Sequence, residues 1–212
     1  ASNILNQPLL VYQGLSERYP YASDRHHRFI LEGAKDVQAR LAQKNIKHIF
    51  HLQRDKHRGK HLRSLAQNCS LMVTEWMPTP TMRKVLHRVS QDVECPIWKA
   101  DTSCIIPLSK SQRLYERAYQ FRSAYEDERT TRVFRDWIDA IPEQPMFKGA
   151  LPFESLDLSR ANLTELIASC AIDHSIPPVP HTTGGSTAGY LRWNQFKKSG
   201  IKLYHKRRNN PA

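Results

Sequence analysis

The amino-acid sequence predicts an α/β protein in which a doubly wound parallel sheet is followed by a helical connector. Short apolar runs that are typical of strands alternate with amphipathic helical stretches over residues 8–100. After Pro107 the pattern changes to charged helical sequence interrupted by prolines. Because strand–helix–strand units join parallel strands through right-handed crossovers, this alternation indicates a parallel sheet with helices on both faces.

The elements of the sheet region follow one another in regular order. Strands are predicted at 8–12, 46–52, 70–74 and 96–100. Helices are predicted between them at 24–44, 60–68 and 81–90. Ser23 is placed as the N-cap of the first helix. The core-facing side of that helix is predicted to consist of Phe29, Ile30, Ala34, Val37 and Leu41.

The connector is predicted to contain two helices and a proline-stiffened linker, at 113–139, 161–171 and 176–181. The turn at Gly184 and Gly185, with Ser and Thr as capping residues, then predicts the start of a basic amphipathic helix. Its apolar face is predicted to carry Trp193, Phe196, Leu203 and Tyr204. The chain is therefore divided into an α/β domain, a connector and the first helix of a further domain, at 1–106, 107–181 and 182–212.

Charge and composition leave two interpretations open. The chain has 212 residues, a formal net charge of +12 and 40% hydrophobic residues, enough for a folded core. An excess of Lys and Arg favours a polyanionic partner, because bound phosphates release their counterions. Alternatively, the charges lie on solvated faces of a basic soluble protein.

The cysteines and the chain start predict a reduced, cytoplasmic protein. Cysteines at 69, 95, 104 and 170 form no zinc-binding spacing, and Cys69 and Cys170 lie in apolar sequence typical of buried thiols. No leader peptide or membrane span is recognisable. The tryptophans, at 76, 98, 137 and 193, are predicted to be mostly core residues.

Three short runs are candidate sites. The segment from Tyr19 to Gly33 opens a helix at the end of a strand, where Arg25 and Arg28 could meet an anion; the alternative is a capped helix start with Arg25 paired to a core carboxylate. The run 57–61 has histidines four residues apart but no acidic ligand, so a solvated basic loop is predicted and no metal site. The run 173–175 contains Asp, His and Ser, but adjacent side chains diverge, and Asp173 and His174 are predicted to tie the linker instead.

Several of these runs carry a resemblance to a known family. The sequence Tyr19-Pro-Tyr-Ala-Ser-Asp-Arg-His-His-Arg-Phe-Ile-Leu-Glu-Gly33, placed after a strand, resembles the antenna domain of class II-related deoxyribodipyrimidine photolyases. Other pieces occur in the order that this family requires, namely 9–12, 72–75, 100–101, 105–108, 118–122, 172–180 and 204–211. In the last piece, Tyr204 and Arg208 precede Asn and Pro, which resembles the start of the flavin-binding domain of photolyases and cryptochromes.

The resemblance implies a fold and an activity. The implied fold is a Rossmann-like photolyase antenna domain followed by a connector to the flavin domain. The implied activity is light-driven splitting of cyclobutane pyrimidine dimers in DNA, with reduced FAD as electron donor and a flipped-out lesion as substrate. Tyr204 is expected to contact the flavin, and Arg208 to supply charge to a phosphate or to the lesion. No antenna chromophore is identified by the resemblance.

The resemblance also implies that parts of the family fold lie outside this chain. The first strand–helix unit and the helical flavin domain are expected to be missing, so the chain alone is expected to bind no FAD and to have no catalytic residue. A cryptochrome-like blue-light sensor and a stand-alone nucleotide-binding or interaction module remain alternatives. In the family's sheet the missing strand lies between the strands at 8–12 and 70–74, so unpaired edges predict self-association and marginal stability.

DNA is the predicted partner of the basic carboxyl-terminal segment. Six cations fall within twelve residues, and they are Lys197, Lys198, Lys202, Lys206, Arg207 and Arg208. We expect weak, sequence-independent DNA binding that falls steeply with salt.

Overall fold

A computed structural model describes residues 1–77, 79–111, 113–136 and 140–209. Its strands are β1 (Leu10–Leu15), β2 (Lys47–Leu52), β3 (Met72–Glu75) and β4 (Ile97–Ala100). Its α-helices are α1 (Ser2–Leu5), α2 (Asp24–Gln43), α3 (His61–Ala66), α4 (Pro80–Asp92), α5 (Ala118–Ala124), α6 (Glu126–Val133), α7 (Leu163–Ala168), α8 (Ser186–Gln195) and α9 (Tyr204–Arg207). Short 3-10 turns occur at Leu108–Lys110 and Ile201–Leu203, and a π-helical turn spans Phe196–Gly200.

The chain divides into two compact units. The first unit comprises Ala1–Gly59 with Ile141–Ala212, and the second comprises Lys60–Ala140. The predicted division into a domain, a connector and a further helix at residues 106 and 181 stays a prediction. Among the described residues, no helix is long and apolar enough to cross a lipid bilayer.

The first unit is built on one parallel strand pair. β1 pairs with β2 in register from Leu10 opposite Lys47 to Leu15 opposite Leu52, and α2 forms the crossover between them. Five of the six β2 residues are buried. Its core consists of Leu15, Leu31, Ala34, Phe50, Leu52, Leu158, Leu163, Ile167 and Cys170.

The other edge of β2 is covered by chain from the carboxyl-terminal part of this unit. The Leu156 amide donates to the Phe50 carbonyl, and the Phe50 amide donates to the hydroxyl of Ser155. Gln38 of α2 fixes the same segment, since its side chain donates to the Leu156 carbonyl and accepts from the Leu158 amide. The first unit is therefore closed by residues distant in sequence.

The second unit holds the other strand pair. β3 and β4 are parallel, with Met72 opposite Ile97. After β4, the carboxylate of Asp101 accepts from the amides of Ser103, Cys104 and Leu108, and these bonds lower the pKa of Asp101. This loop leads into α5 and α6.

The parallel pairing and the strand–helix alternation agree with the predicted α/β class. The single doubly wound sheet is not confirmed, because within the described part of the chain β1 pairs only with β2, and β3 only with β4. The predicted self-association through unpaired edges stays a prediction.

Two details of the helix predictions are corrected. The helix predicted at 113–139 is two helices in its described part, because Tyr125 leaves helical geometry (φ −123°, ψ 14°) and its hydroxyl donates to the Lys110 carbonyl. Residues 137–139 of that prediction lie outside the described residues. On α2, Phe29 and Val37 are exposed, whereas His27, Leu31 and Ala34 form the buried face.

The core assignments of the thiols and tryptophans are confirmed only in part. Cys170 is buried as predicted, but Cys69 is exposed. Trp98 and Trp193 are about half exposed, with 51% and 47% of their surface accessible. Trp98 lies opposite Val73 on the β3–β4 pair, and Val73 is about half exposed as well. Trp137 lies outside the described residues.

Candidate nucleic-acid interface

The carboxylate of Asp36 on α2 anchors the amino-terminal end of α8. It accepts hydrogen bonds from the Ser186 hydroxyl at 2.8 Å, the Thr187 amide at 3.0 Å and the Thr187 hydroxyl at 2.6 Å. The bonds from Thr187, followed by the bond from Ser186, lower the pKa of Asp36 to about 2. A negative charge at a helix amino terminus also accepts hydrogen bonds from the unpaired amides there and interacts favourably with the positive end of the helix dipole. Asp36 therefore holds α8 in place through its ionised form.

The two glycines before α8 allow the chain to approach α2 closely. The Gly184 amide donates to Glu32 Oε2 at 2.8 Å, and a Cβ at this position would lie only 2.0 Å from the Phe29 carbonyl oxygen. Gly185 is the N-cap, with φ 103°, a conformation that favours glycine. The predicted Gly-Gly start of the helix is confirmed. The predicted cap from its own Ser and Thr is wrong, because Asp36 accepts from these residues.

The predicted site begins within α8 and continues past its carboxyl end. We call it the basic-aromatic segment and define it as residues 190–208. Trp193 and Phe196 stack with ring centroids 5.7 Å apart, and Phe196 meets Tyr204 edge to face at 6.0 Å. The Lys197 Nζ lies 5.9 Å from the centroid of the Trp193 ring, within range of a cation–π interaction. The predicted clustering of these aromatic residues is confirmed, but Trp193 and Tyr204 are exposed and Phe196 is only half-buried, so they form no buried face.

A groove runs along this segment and contains both predicted cofactor-contacting residues. It has a volume of about 390 Å³ and is lined by Phe196, Ser199, Gly200, Leu203, Tyr204, Arg207 and Arg208. Gly200 makes room for the groove wall, since a Cβ there would lie 2.5 Å from the Phe196 ring. The π-helical turn brings Phe196 and Gly200 together, and such turns recur at functional sites.

All six cations predicted to bind DNA are exposed on this segment. No Asp or Glu follows Asp173 in the chain. Within the described part of the chain, none of the six forms an ion pair, whereas cations elsewhere do, as Arg58 does with Glu17 and Arg132 with Glu128. Their charge is therefore available to a polyanion, which favours the first of the two interpretations of the net charge.

The residues that line the groove can be compared with those that an FAD site needs. Tyr204 offers an aromatic ring, and Arg207 and Arg208 offer charge for a phosphate. All lining residues belong to one helical stretch, and the groove is open to solvent. An enclosed cofactor site needs surfaces on several sides, so the described residues do not fit a complete FAD.

The candidate anion site at the start of α2 is filled by the chain itself. The amides of Asp24 and Arg25 donate to the carbonyls of Asp173 and Ile176, and Arg25 Nε donates to the Pro177 carbonyl. Ser23 is the N-cap as predicted, but its side chain makes no capping bond. The anion site is therefore not formed, and the alternative of a core ion pair for Arg25 is also wrong because Arg25 is exposed.

Asp173 and His174 tie the linker by hydrogen bonds, as predicted. Asp173 accepts from the amide and hydroxyl of Ser175, at 2.8 and 2.6 Å. His174 Nδ1 lies 2.7 Å from Asp24 Oδ1, and this contact raises the pKa of His174. His174 contacts the Cys170 carbonyl with its other nitrogen. These bonds tie the linker to α2 and do not assemble a catalytic triad.

Sequence reasoning missed Asp36 and Glu32. They lie four residues apart on one face of α2 and bond to the turn before α8 and to its first residues. The available signal was weak: α8 has no acidic residue in its own first turn, so its amino terminus needed an acceptor from elsewhere.

Comparison with known proteins gives one distant likeness over the whole chain. No family model matches the sequence. A deoxyribodipyrimidine photo-lyase from Methanothermobacter thermautotrophicus is 22% identical over 215 aligned positions. The alignment covers all of this chain but 45% of that protein, so the chain spans less than half the length of its relative.

Proposed function

We propose that the chain is part of a photolyase-related protein and that its basic-aromatic segment binds DNA. Two independent findings support this proposal. The chain is similar over its full length to a protein named for deoxyribodipyrimidine photolysis. The basic-aromatic segment concentrates exposed cations around a groove that contains Tyr204 and Arg208. This clustering is the observation that carries the proposal.

In the complete protein, light-dependent repair of pyrimidine dimers with FAD is the proposed activity. FAD supplies the electron-transfer chemistry when it is bound. Tyr204 then forms part of the cofactor wall, and Arg208 holds a phosphate of the cofactor or of DNA. The remaining walls come from outside the described residues, so this chain alone is proposed to bind no flavin and to perform no repair.

DNA binding by this segment is electrostatic in origin. Each phosphate that a lysine or arginine neutralises releases a condensed counterion, and the affinity therefore falls linearly with salt on a logarithmic scale. Affinities of about 10⁻⁴ to 10⁻⁶ M at physiological salt are expected for contacts of this kind.

The test replaces three exposed lysines that do not line the groove. Lys198, Lys202 and Lys206 are changed together to Gln, which keeps helix propensity. Fluorescence anisotropy measures binding to an undamaged duplex at several salt concentrations. The salt slope is expected to fall by about 2 to 3, since each phosphate that a lysine neutralises contributes about 0.9 to the slope.

A control variant changes the same amount of charge on another exposed helix. Arg83, Lys84 and Arg88 of α4 are exposed and are changed together to Gln. If DNA contacts the basic-aromatic segment, this control keeps the wild-type slope. Equal losses of affinity in the two variants would show that only net charge matters, and the proposed site would be wrong.

A further inference from the structure

The basic-aromatic segment exposes aromatic rings that binding to duplex phosphates does not need. Tyr190 is 62% exposed, Trp193 47% and Tyr204 54%. Leu191 and Ile201 of the same segment are also exposed. Aromatic rings interleaved with unpaired cations are the surface on which single-stranded nucleic acids bind, since bases stack on the rings while cations follow the backbone.

The groove places these two kinds of contact side by side. Tyr204 contacts Phe196 edge to face, and more than half of its surface remains accessible. Arg207 and Arg208 line the same groove. At about 390 Å³ the groove is at the lower end of the range for small-ligand sites. A base against the Tyr204 ring and its phosphate at the guanidinium groups match this arrangement.

Bases can stack on the aromatic rings of the segment only where the DNA is unpaired. In a duplex the faces of the bases are stacked on one another, whereas in a single strand they are accessible. We propose that the basic-aromatic segment binds single-stranded DNA by stacking unpaired bases on Tyr204 and Trp193, and binds it more tightly than duplex DNA. This inference rests on the proposed function, because it assumes that DNA reaches this segment. It concerns this chain without FAD, since a flavin in contact with Tyr204 would occupy the ring on which a base stacks.

The charge of the segment argues against a second copy of the chain as the occupant. Residues 190–208 contain seven Lys or Arg and no acidic residue. Two such segments face to face would repel each other. A single strand of DNA supplies both the negative charge and the aromatic faces that complement this surface.

The experiment compares three DNA probes of equal length with the wild-type chain. They are an oligothymidylate of about 12 nucleotides, within the range that one binding surface covers, an abasic strand of the same length, and a duplex. The abasic strand keeps the phosphates but has no bases. We expect the oligothymidylate to bind roughly tenfold more tightly than the abasic strand. Equal affinity for these two strands would overturn the proposal.

Variants at Tyr204 locate the stacking contact. Tyr204→Leu removes the ring and keeps an apolar side chain, and is expected to weaken oligothymidylate binding roughly tenfold without changing the salt slope. Tyr204→Phe keeps the ring and is expected to bind as the wild type does. Tyr119→Leu is the control, since Tyr119 lies on a helix of the second unit with a similar exposure of 58%.

Two results would contradict the stacking contact. One is wild-type affinity of Tyr204→Leu for oligothymidylate. The other is a change in the sedimentation of Tyr204→Leu with unchanged DNA affinity, which would assign the exposed rings to self-association. The abasic comparison uses the wild-type chain and therefore decides the question even where a variant fails to fold.

Failure of this inference differs from failure of the proposed function. If duplex binding depends on Lys198, Lys202 and Lys206 but the abasic strand binds as well as oligothymidylate, only the stacking proposal is wrong. If neutralising the lysines has no selective effect, DNA does not bind at this segment and both proposals are wrong.

Discussion

Replacing Asp36 by Asn is expected to loosen the attachment of α8 to α2. The substitution keeps the shape of the side chain but removes the charge that accepts three hydrogen bonds from Ser186 and Thr187. The Asn side chain also brings an N–H donor toward Ser186 and Thr187, whose groups are donors themselves. Since α8 leads into the groove, this attachment positions the candidate site.

The size of the effect follows from the pKa of Asp36. It falls from an ordinary value of 3.8 to about 2. A shift of this size corresponds to about 2.5 kcal/mol of stability at 1.36 kcal/mol per pH unit. The carboxylate is partly exposed, and solvent screening reduces the contribution to about 1 kcal/mol. The melting temperature is then expected to fall by about 2–4 °C.

The pH dependence gives an independent check. Because the folded-state pKa of Asp36 is lowered, its contribution is complete above the unfolded value near 3.8 and is lost as the pH falls toward about 2. Thermal unfolding of wild type and Asp36→Asn should therefore differ at pH 7 and converge as the pH falls from about 4 to about 2. Hydrogen exchange of the amides at 184–190 should also accelerate in the variant.

Asp55→Asn is the matched control for Asp36→Asn. Asp55 belongs to the same unit and is exposed, so its replacement makes the same change in net charge without touching α8. Identical melting temperatures for Asp36→Asn and Asp55→Asn across this pH range would refute the proposed attachment.

Two further substitutions test the packing of the first unit. Gly184→Ala places a Cβ 2.0 Å from the Phe29 carbonyl oxygen, so its melting temperature should fall by about 5 °C or more. Gly189→Ala on α8 meets nothing within 4 Å and should be neutral or slightly stabilising; equal behaviour of the two variants in thermal unfolding would contradict the close approach. His48 is buried without a hydrogen-bond partner among the described residues, and burial lowers the pKa of its imidazole. The folded state therefore favours neutral His48, and this contribution to stability is lost as the pH falls below about 6.5. His48→Leu should therefore lose less stability than wild type between pH 7 and pH 5, as measured by denaturant unfolding, and an unchanged loss would show that His48 does not titrate as expected.

Local sequence signals predicted the elements that depend on local pattern. The alternating run at 46–52, predicted as a strand, forms β2, and five of the six residues of β2 are buried. The start of α2 after Ser23 was also predicted, since Ser followed by Asp is typical of a helix amino terminus. In both places the local preference and the folded structure agree.

Tertiary contacts decided the features that were missed. Asp36 bonds to Thr187 across 151 residues of sequence, a distance at which no periodic pattern is informative. The break between α5 and α6 at Tyr125 interrupts an apolar pattern that continues on both sides. Similarly, the carbonyls of Asp173 and Ile176 occupy the helix start where the sequence left an anion site open.

The sequence predicted two residues of the candidate site but not the geometry of the groove that contains them. Tyr204 and Arg208 were selected through a family resemblance, and the groove brings them together. The role of Gly200 was not predictable, because the π-helical turn that presses it against Phe196 has no sequence signal of its own.

Hydrogen–deuterium exchange of the chain with and without oligothymidylate tests the central claim most directly. The claim is that DNA binds along residues 190–208, with Tyr204 in the contact. Protection from exchange is expected to be concentrated in this segment and to disappear when Lys198, Lys202 and Lys206 are changed to Gln. Protection that lies instead along α4, or an unchanged exchange pattern at DNA concentrations that saturate binding, would contradict the claim.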